Sequence, residues 1–193
     1  MLIKKIVFTN WDSIIMAEEI ISRLKNSLIE CNKHIFKIAY DVNIMRDFMP
    51  LTVDKYNNLT ESETTLIDSY ILRFTKLQDK MGKLFEQILK ENNIDTEAMS
   101  FINILNYMEK YHILNNTDEW HEVRKIRNYF THEYPDDDKE NIEQLNESFL
   151  MSKNIFITYF KTNNYVLENI LKPYNVDITG LSIKQNDIDK LFL

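Results

Sequence analysis

The side chains with the most chemistry to offer lie close together, in residues 123–137, VRKIRNYFTHEYPDD. Arg124, Arg127, Asn128 and His132 fall within nine residues of one another. An arginine offers a planar fork of donors that matches a phosphate. A histidine exchanges its proton near neutral pH. At 100° per residue, Val123, Ile126, Tyr129 and Phe130 share one side of a helix, and His121, Arg124, Asn128, Thr131 and His132 share the other. Arg127 sits at one edge of the polar arc and His132 near the other, about 140° apart. Asn128 and His132, four residues apart, are neighbours. Such a surface can bracket a phosphate, the more so if a second copy of the helix faces it across a two-fold axis. An ordinary solvated face is the alternative that chemistry alone leaves open. Other candidates are thinner. Cys31 and His34 have a metal-like spacing, but one Cys and one His make no site. His34 and His112 read as isolated histidines.

The elements that must hold these residues are helices. The chain has 193 residues, 44% of them hydrophobic and 12% aromatic, which suits one ordered domain with a real core. Only two glycines and three prolines punctuate it, too few for a sheet with tight turns. Residues 2–8, LIKKIVF, could be a short strand or an extended lead-in. Apolar residues at helical spacing then run from Ile14 past Ile38. Pro50 opens a loop, and Thr60 with Glu63 forms a capping box for a second helix that ends in ENNIDTE. Gly82 inside that helix points to a close helix crossing. A third helix is expected from about Glu97 to His112. The fourth carries the opening motif and is stopped by Pro135. Asp136, Asp137 and Asp138 read as a turn and a cap, with Asp137 and Glu140 in capping-box spacing. A fifth helix follows from about Lys139 to Leu171, where Pro173 stops it. The tail could form a short strand or a docked arm. The expected architecture is an all-α, up-and-down bundle of about five helices, one domain over 1–193 with its core at about 12–165.

Charge limits the function. The formal net charge is −7, so any binding of nucleic acid must rest on a local basic site. A single cysteine excludes an internal disulfide and fits a reducing compartment. No apolar run reaches membrane-spanning length, and the N-terminal residues lack the pattern of a signal peptide, so a cytoplasmic protein is expected.

Written out, the motif of Arg127, Asn128, His132 and Tyr134 is R-N-x3-H-x-Y. On the fourth helix of a small bundle, it resembles the HEPN superfamily, and within it the HepT-like toxins and related nucleotidyltransferase substrate-binding proteins. Arg124 sits where these proteins often carry a basic residue, and DSYILRF places Asp68 and Arg73 much as the family's Asp/Arg-bearing helix does. The resemblance spans roughly residues 12–165 and is clearest over 66–150. It implies a metal-independent endoribonuclease without cofactor, the toxin of a toxin–antitoxin or defence pair, working as a homodimer whose motif helices meet. His132 would handle the proton, Arg127 would hold the scissile phosphate, and Asn128 would orient the histidine or the phosphate. The end of a helix favours the imidazolium, which suits His132 as a general acid. The product would be a 2′,3′-cyclic phosphate. The implied partner is a minimal nucleotidyltransferase antitoxin that attaches AMP to Tyr134, which would put bulk and negative charge beside His132. An acidic chain fits this only if the RNA is structured and chosen by shape, tRNA being an example. The alternative within the same resemblance is a non-catalytic module that docks the nucleotidyltransferase. The segment 47–61, the tail after Leu171, and the acids Glu133 and Asp136 to Asp138 depart from the pattern.

Overall fold

Two heptad stripes organise the chain. Helix α1 (Asn10–Met45) runs 36 residues with no glycine or proline. It buries Leu24, Leu28, Cys31, Ile35, Ile38, Val42 and Met45, alternating steps of four and three. Helix α3 (Glu61–Glu91) buries Ile67, Tyr70, Phe74, Leu77, Met81, Leu84 and Ile88 at the same alternation. Matching seams of period 3.5 pack two helices side by side at a shallow angle. The pairing is antiparallel: Asp41 meets Ser69 at 3.0 Å, Glu30 meets Lys80, and Ser27 meets Gln87 at 3.4 Å. The computed structural model describes residues 10–132 and 137–184, with side chains from residue 18 onward except that of His132. The strand or lead-in expected at 2–8 lies outside the described residues.

Around this pair stand α2 (Val53–Asn57), α4 (Phe101–Lys110), α5 (Thr117–His132) and α6 (Asp138–Tyr165). A wider π-type turn, Val166–Leu171, and a short 3₁₀ turn, Lys172–Tyr174, extend α6. Helix α5 runs antiparallel to α3, with Trp120 tilted on Phe85 at 5.0 Å between rings and Arg127 reaching Asp79. Helix α6 returns along α5, where Tyr129 Oη donates to Asn141 Oδ1 at 2.7 Å and Lys161 Nζ donates to Asn115 Oδ1 at 2.6 Å. It closes on α1 through Tyr159 Oη, which donates to Asn32 Oδ1 at 2.6 Å. The result is an all-α bundle of four long helices alternating in direction, with α4 bridging α3 and α5.

Six helices replace the expected five, because the segment after Pro50 contains α2, capped by Thr52 whose Oγ1 accepts from Lys55 N at 3.3 Å. The third expected helix begins at Phe101, not near Glu97, since Asp95 Oδ1 takes the Glu97 amide at 2.9 Å and turns the chain there. It also ends at Lys110, before His112. His112 has φ 58° and closes the helix, its own N–H bonding Glu109 O and that of Ile113 bonding Met108 O, both at 2.9 Å. Asn93 (φ 58°) and Asn175 (φ 55°) end α3 and the extension of α6 in the same left-handed geometry. Both expected caps are present. Thr60 and Glu63 exchange bonds as a full capping box, and Asp137 Oδ1 accepts from Lys139 N at 2.9 Å and Glu140 N at 3.4 Å. As far as residue 184 the tail is a docked arm: Leu181 and Ile183 are buried, and Leu181 O accepts from Asn32 Nδ2 at 3.1 Å and Asn163 Nδ2 at 2.9 Å. No strand occurs among the described residues.

Candidate nucleic-acid interface

Val123 and Ile126 of α5 are in the core, as the helical arc requires, while Tyr129 and Phe130 are half-buried at its margin. The polar arc is not simply solvated. Arg127 crosses to α3, where its Nη2 lies 2.6 Å from Asp79 Oδ1 and its side chain is 25% exposed. Its Nη1 donates to Asn128 Oδ1 at 2.9 Å. Asn128 thus helps to hold the arginine side chain. The Arg127 Nε is buried with no hydrogen-bond partner among the described residues. Arg124 lies with its guanidinium 4.5 Å from the centre of the Phe101 ring, an arrangement favourable to both. Both arginines, with Asp79, Gly82, Lys83 and Glu86, line a cleft of about 180 Å³.

A larger groove, about 410 Å³, lies between α1 and α3. Its walls carry Lys33, His34, Arg73, Lys76, Lys80 and Lys83, against the acids Glu30 and Asp79. Asp79 and Lys83 line both spaces, so the two form one continuous face. Seven lysines and arginines meet three carboxylates on that face, Glu30, Asp79 and Glu86. A protein of formal charge −7 thus carries a local excess of four positive charges on one side. That is the local basic site the composition demands of any nucleic-acid binder. Glu30 is committed to Lys80, whose hydrogen bond holds its carboxyl below the ordinary carboxylate range.

Within the groove, His34 is half-buried and its Nδ1 has no partner among the described residues. Burial lowers its proton affinity, and the charges of Arg73 and Lys76 lower it further. Its pKa therefore lies below the ordinary range, beside the cationic side chains of the groove. Arg73 is half-buried and its Nε is likewise unpartnered among the described residues.

The structure brings the residues picked from the sequence together only in part. Arg124 and Arg127 line one cleft, Asn128 is bonded to Arg127, and Arg73 joins them through the common basic face. Asp68 does not. It is exposed beside Tyr56, Leu59 and Leu145 in a separate cleft, three helical turns, about 16 Å, from Asp79 along α3. His132 is the last residue of α5, but its side chain lies outside the described residues, as does Tyr134 entirely. Lys76, Lys80, Lys83 and Asp79 were missed, and His34 was read as isolated. The signal for most of them was present: Arg73, Lys76, Lys80 and Lys83 follow at steps of three, four and three, a basic stripe on one helix face.

Among the described residues no three His, Cys, Asp or Glu side chains gather to hold a metal ion, and no helix is long and apolar enough to cross a membrane. Comparison with family models, curated proteins and solved structures finds no match to this chain.

Proposed function

We propose that this protein is a metal-independent endoribonuclease of the HEPN type, the toxin of a toxin–antitoxin or defence pair. The observation that carries the reading is the continuous basic face, which leads along α3 to the arginine of the R-x4-H helix on an otherwise acidic chain. In this reading Arg127 neutralises the charge that builds on the phosphorane oxygens during cleavage. The Nη hydrogens not given to Asp79 and Asn128 are the donors left for that purpose. The ribose 2′-oxygen attacks phosphorus, the P–O5′ bond breaks, and His132 delivers a proton to the departing oxygen. The products are a 2′,3′-cyclic phosphate and a 5′-hydroxyl. A two-fold dimer pairing the ends of α5 supplies a second His132 for the opposite proton transfer. A partner nucleotidyltransferase silences the site by attaching AMP to Tyr134, two residues beyond the histidine.

The Asp79–Arg127 ion pair supports a second reading, a non-catalytic module that docks the nucleotidyltransferase, since it already satisfies the key arginine. Induced expression in a bacterial host separates them. The ribonuclease reading expects growth arrest that Arg127→Ala or His132→Ala abolishes at equal protein level. Unimpaired growth with folded, unmodified wild-type protein would overturn it in favour of the docking module.

A further inference from the structure

Two exposed aromatics stand on α1, the helix that forms one wall of the basic groove. Phe36 is 54% exposed and Tyr40 59% exposed, one turn apart on α1. With Ile29 and Ile44 they form a stripe centred about 95° from the line of Glu30, His34, Lys37 and Asp41, which faces α3. Lys37 marks the junction. Its Nζ lies 4.5 Å from the centre of the Tyr40 ring and 2.9 Å from Asp41 Oδ1. Resting on the reading that this protein acts on RNA, we infer that the α1–α3 face is a track for a single-stranded segment of the RNA. Its phosphates lie in the groove, and its bases stack on Phe36 and Tyr40.

Three observations support this occupant. A basic groove with exposed aromatic rings on one of its two helices suits a single strand, because every base has a face to stack and every nucleotide a charge to neutralise. The stripe of Arg73, Lys76, Lys80 and Lys83 covers about 15 Å of α3, the length of about four stacked nucleotides at ~3.4 Å each. The track also runs toward the cleft of Arg124 and Arg127, so a strand held on it is delivered to the proposed cutting site.

Lys33, Lys76 and Lys83 have no ion pair among the described residues, and Arg73 has an unpartnered Nε, so three to four phosphates can be neutralised. The expected salt dependence is then a log–log slope of about −2 to −3. The test is fluorescence anisotropy of the full chain with a labelled 2′-O-methyl oligouridylate, which has no 2′-hydroxyl to act as nucleophile and is not cut. Phe36→Ala and Tyr40→Ala should each weaken binding roughly tenfold at unchanged slope, while Lys76→Glu should weaken it and flatten the slope. Both aromatics are exposed, so the folded state tolerates their loss. Unchanged affinity in both aromatic variants would overturn the track, as would a Phe36→Ala variant that only breaks a dimer. Cleavage of natural RNA is scored separately with Arg127→Ala and His132→Ala. A protein that cuts RNA without using Phe36 or Tyr40 loses the track and keeps the proposed function. One that binds the oligonucleotide through them and cuts nothing loses the proposed function alone.

Discussion

In the proposed ribonuclease Asp79 competes with the RNA phosphate for Arg127, and replacing it by asparagine measures that competition. The carboxylate is 45% exposed and the guanidinium 25%, with 2.6 Å between charged atoms. Exposed ion pairs contribute about 0.2–1 kcal/mol, and the partial shielding of Arg127 places this one near the upper end. A phosphate that needs Arg127 must displace Asp79 or sit against its charge. Asp79→Asn keeps the shape, removes that opposition and should tighten RNA binding about fivefold at low salt, the equivalent of about 1 kcal/mol. Stability should fall by no more than about the same amount. The assay is anisotropy with an uncleavable oligonucleotide, run as a double-mutant cycle with Arg127→Ala. In the Arg127→Ala background the gain should fall below about twofold, leaving only the long-range effect of one less negative charge. An equal gain in both backgrounds would show that Asp79 acts as a general surface charge. Weaker binding by Asp79→Asn would refute the reasoning outright, because the arginine would then need its carboxylate to be held in place.

Three further outcomes follow from the fold and the groove. Gly82→Ala should raise stability by about 1 kcal/mol in denaturant melts, since its added Cβ meets only Phe101 Cε2, at an ordinary 3.8 Å. Cys31 is fully buried and its thiol is pushed up to about 12, so alkylating reagents should modify it only at the rate of unfolding. His34 is held below its ordinary 6.5 by burial and by Arg73, Lys76 and Lys80, against the opposing pull of Glu30. The unfolded chain therefore takes up its proton first as pH falls. Stability from this group is complete above about pH 6.5 and declines as pH drops toward the lowered folded value, and His34→Gln should flatten that decline in melts at pH 7 and pH 5.

What was legible in the sequence was local. Thr60 and Glu63, or Asp137 ahead of Glu140, make their bonds within four residues, so spacing alone announces them. The apolar stripes of α1 and α3 are legible for the same reason. Glycine poverty pointed to long helices but hid how they stop. Asn93, His112 and Asn175 adopt the left-handed geometry usually given to glycine, and an abundant asparagine offers no cue as to which copy does so. The site was harder. Nothing near Arg127 in the chain names Asp79 as its partner, because that contact depends on how α5 is seated on α3. The net charge of −7 drew attention away from the stripe of Arg73, Lys76, Lys80 and Lys83, whose charges cancel in a sum over the chain and not on a surface. His34 gains its surroundings only from the register of α1 against α3. Asp68, chosen by resemblance, faces another cleft for the same kind of reason.

The central claim is that the end of α5 cuts RNA through Arg127 and His132. Purified protein incubated with total RNA in EDTA, followed by sequencing of the ends, tests it most directly. The account predicts defined cuts leaving 2′,3′-cyclic phosphates, lost in Arg127→Ala and in His132→Ala. RNA left intact by protein of unmodified mass, or cuts that persist in both variants, would contradict it.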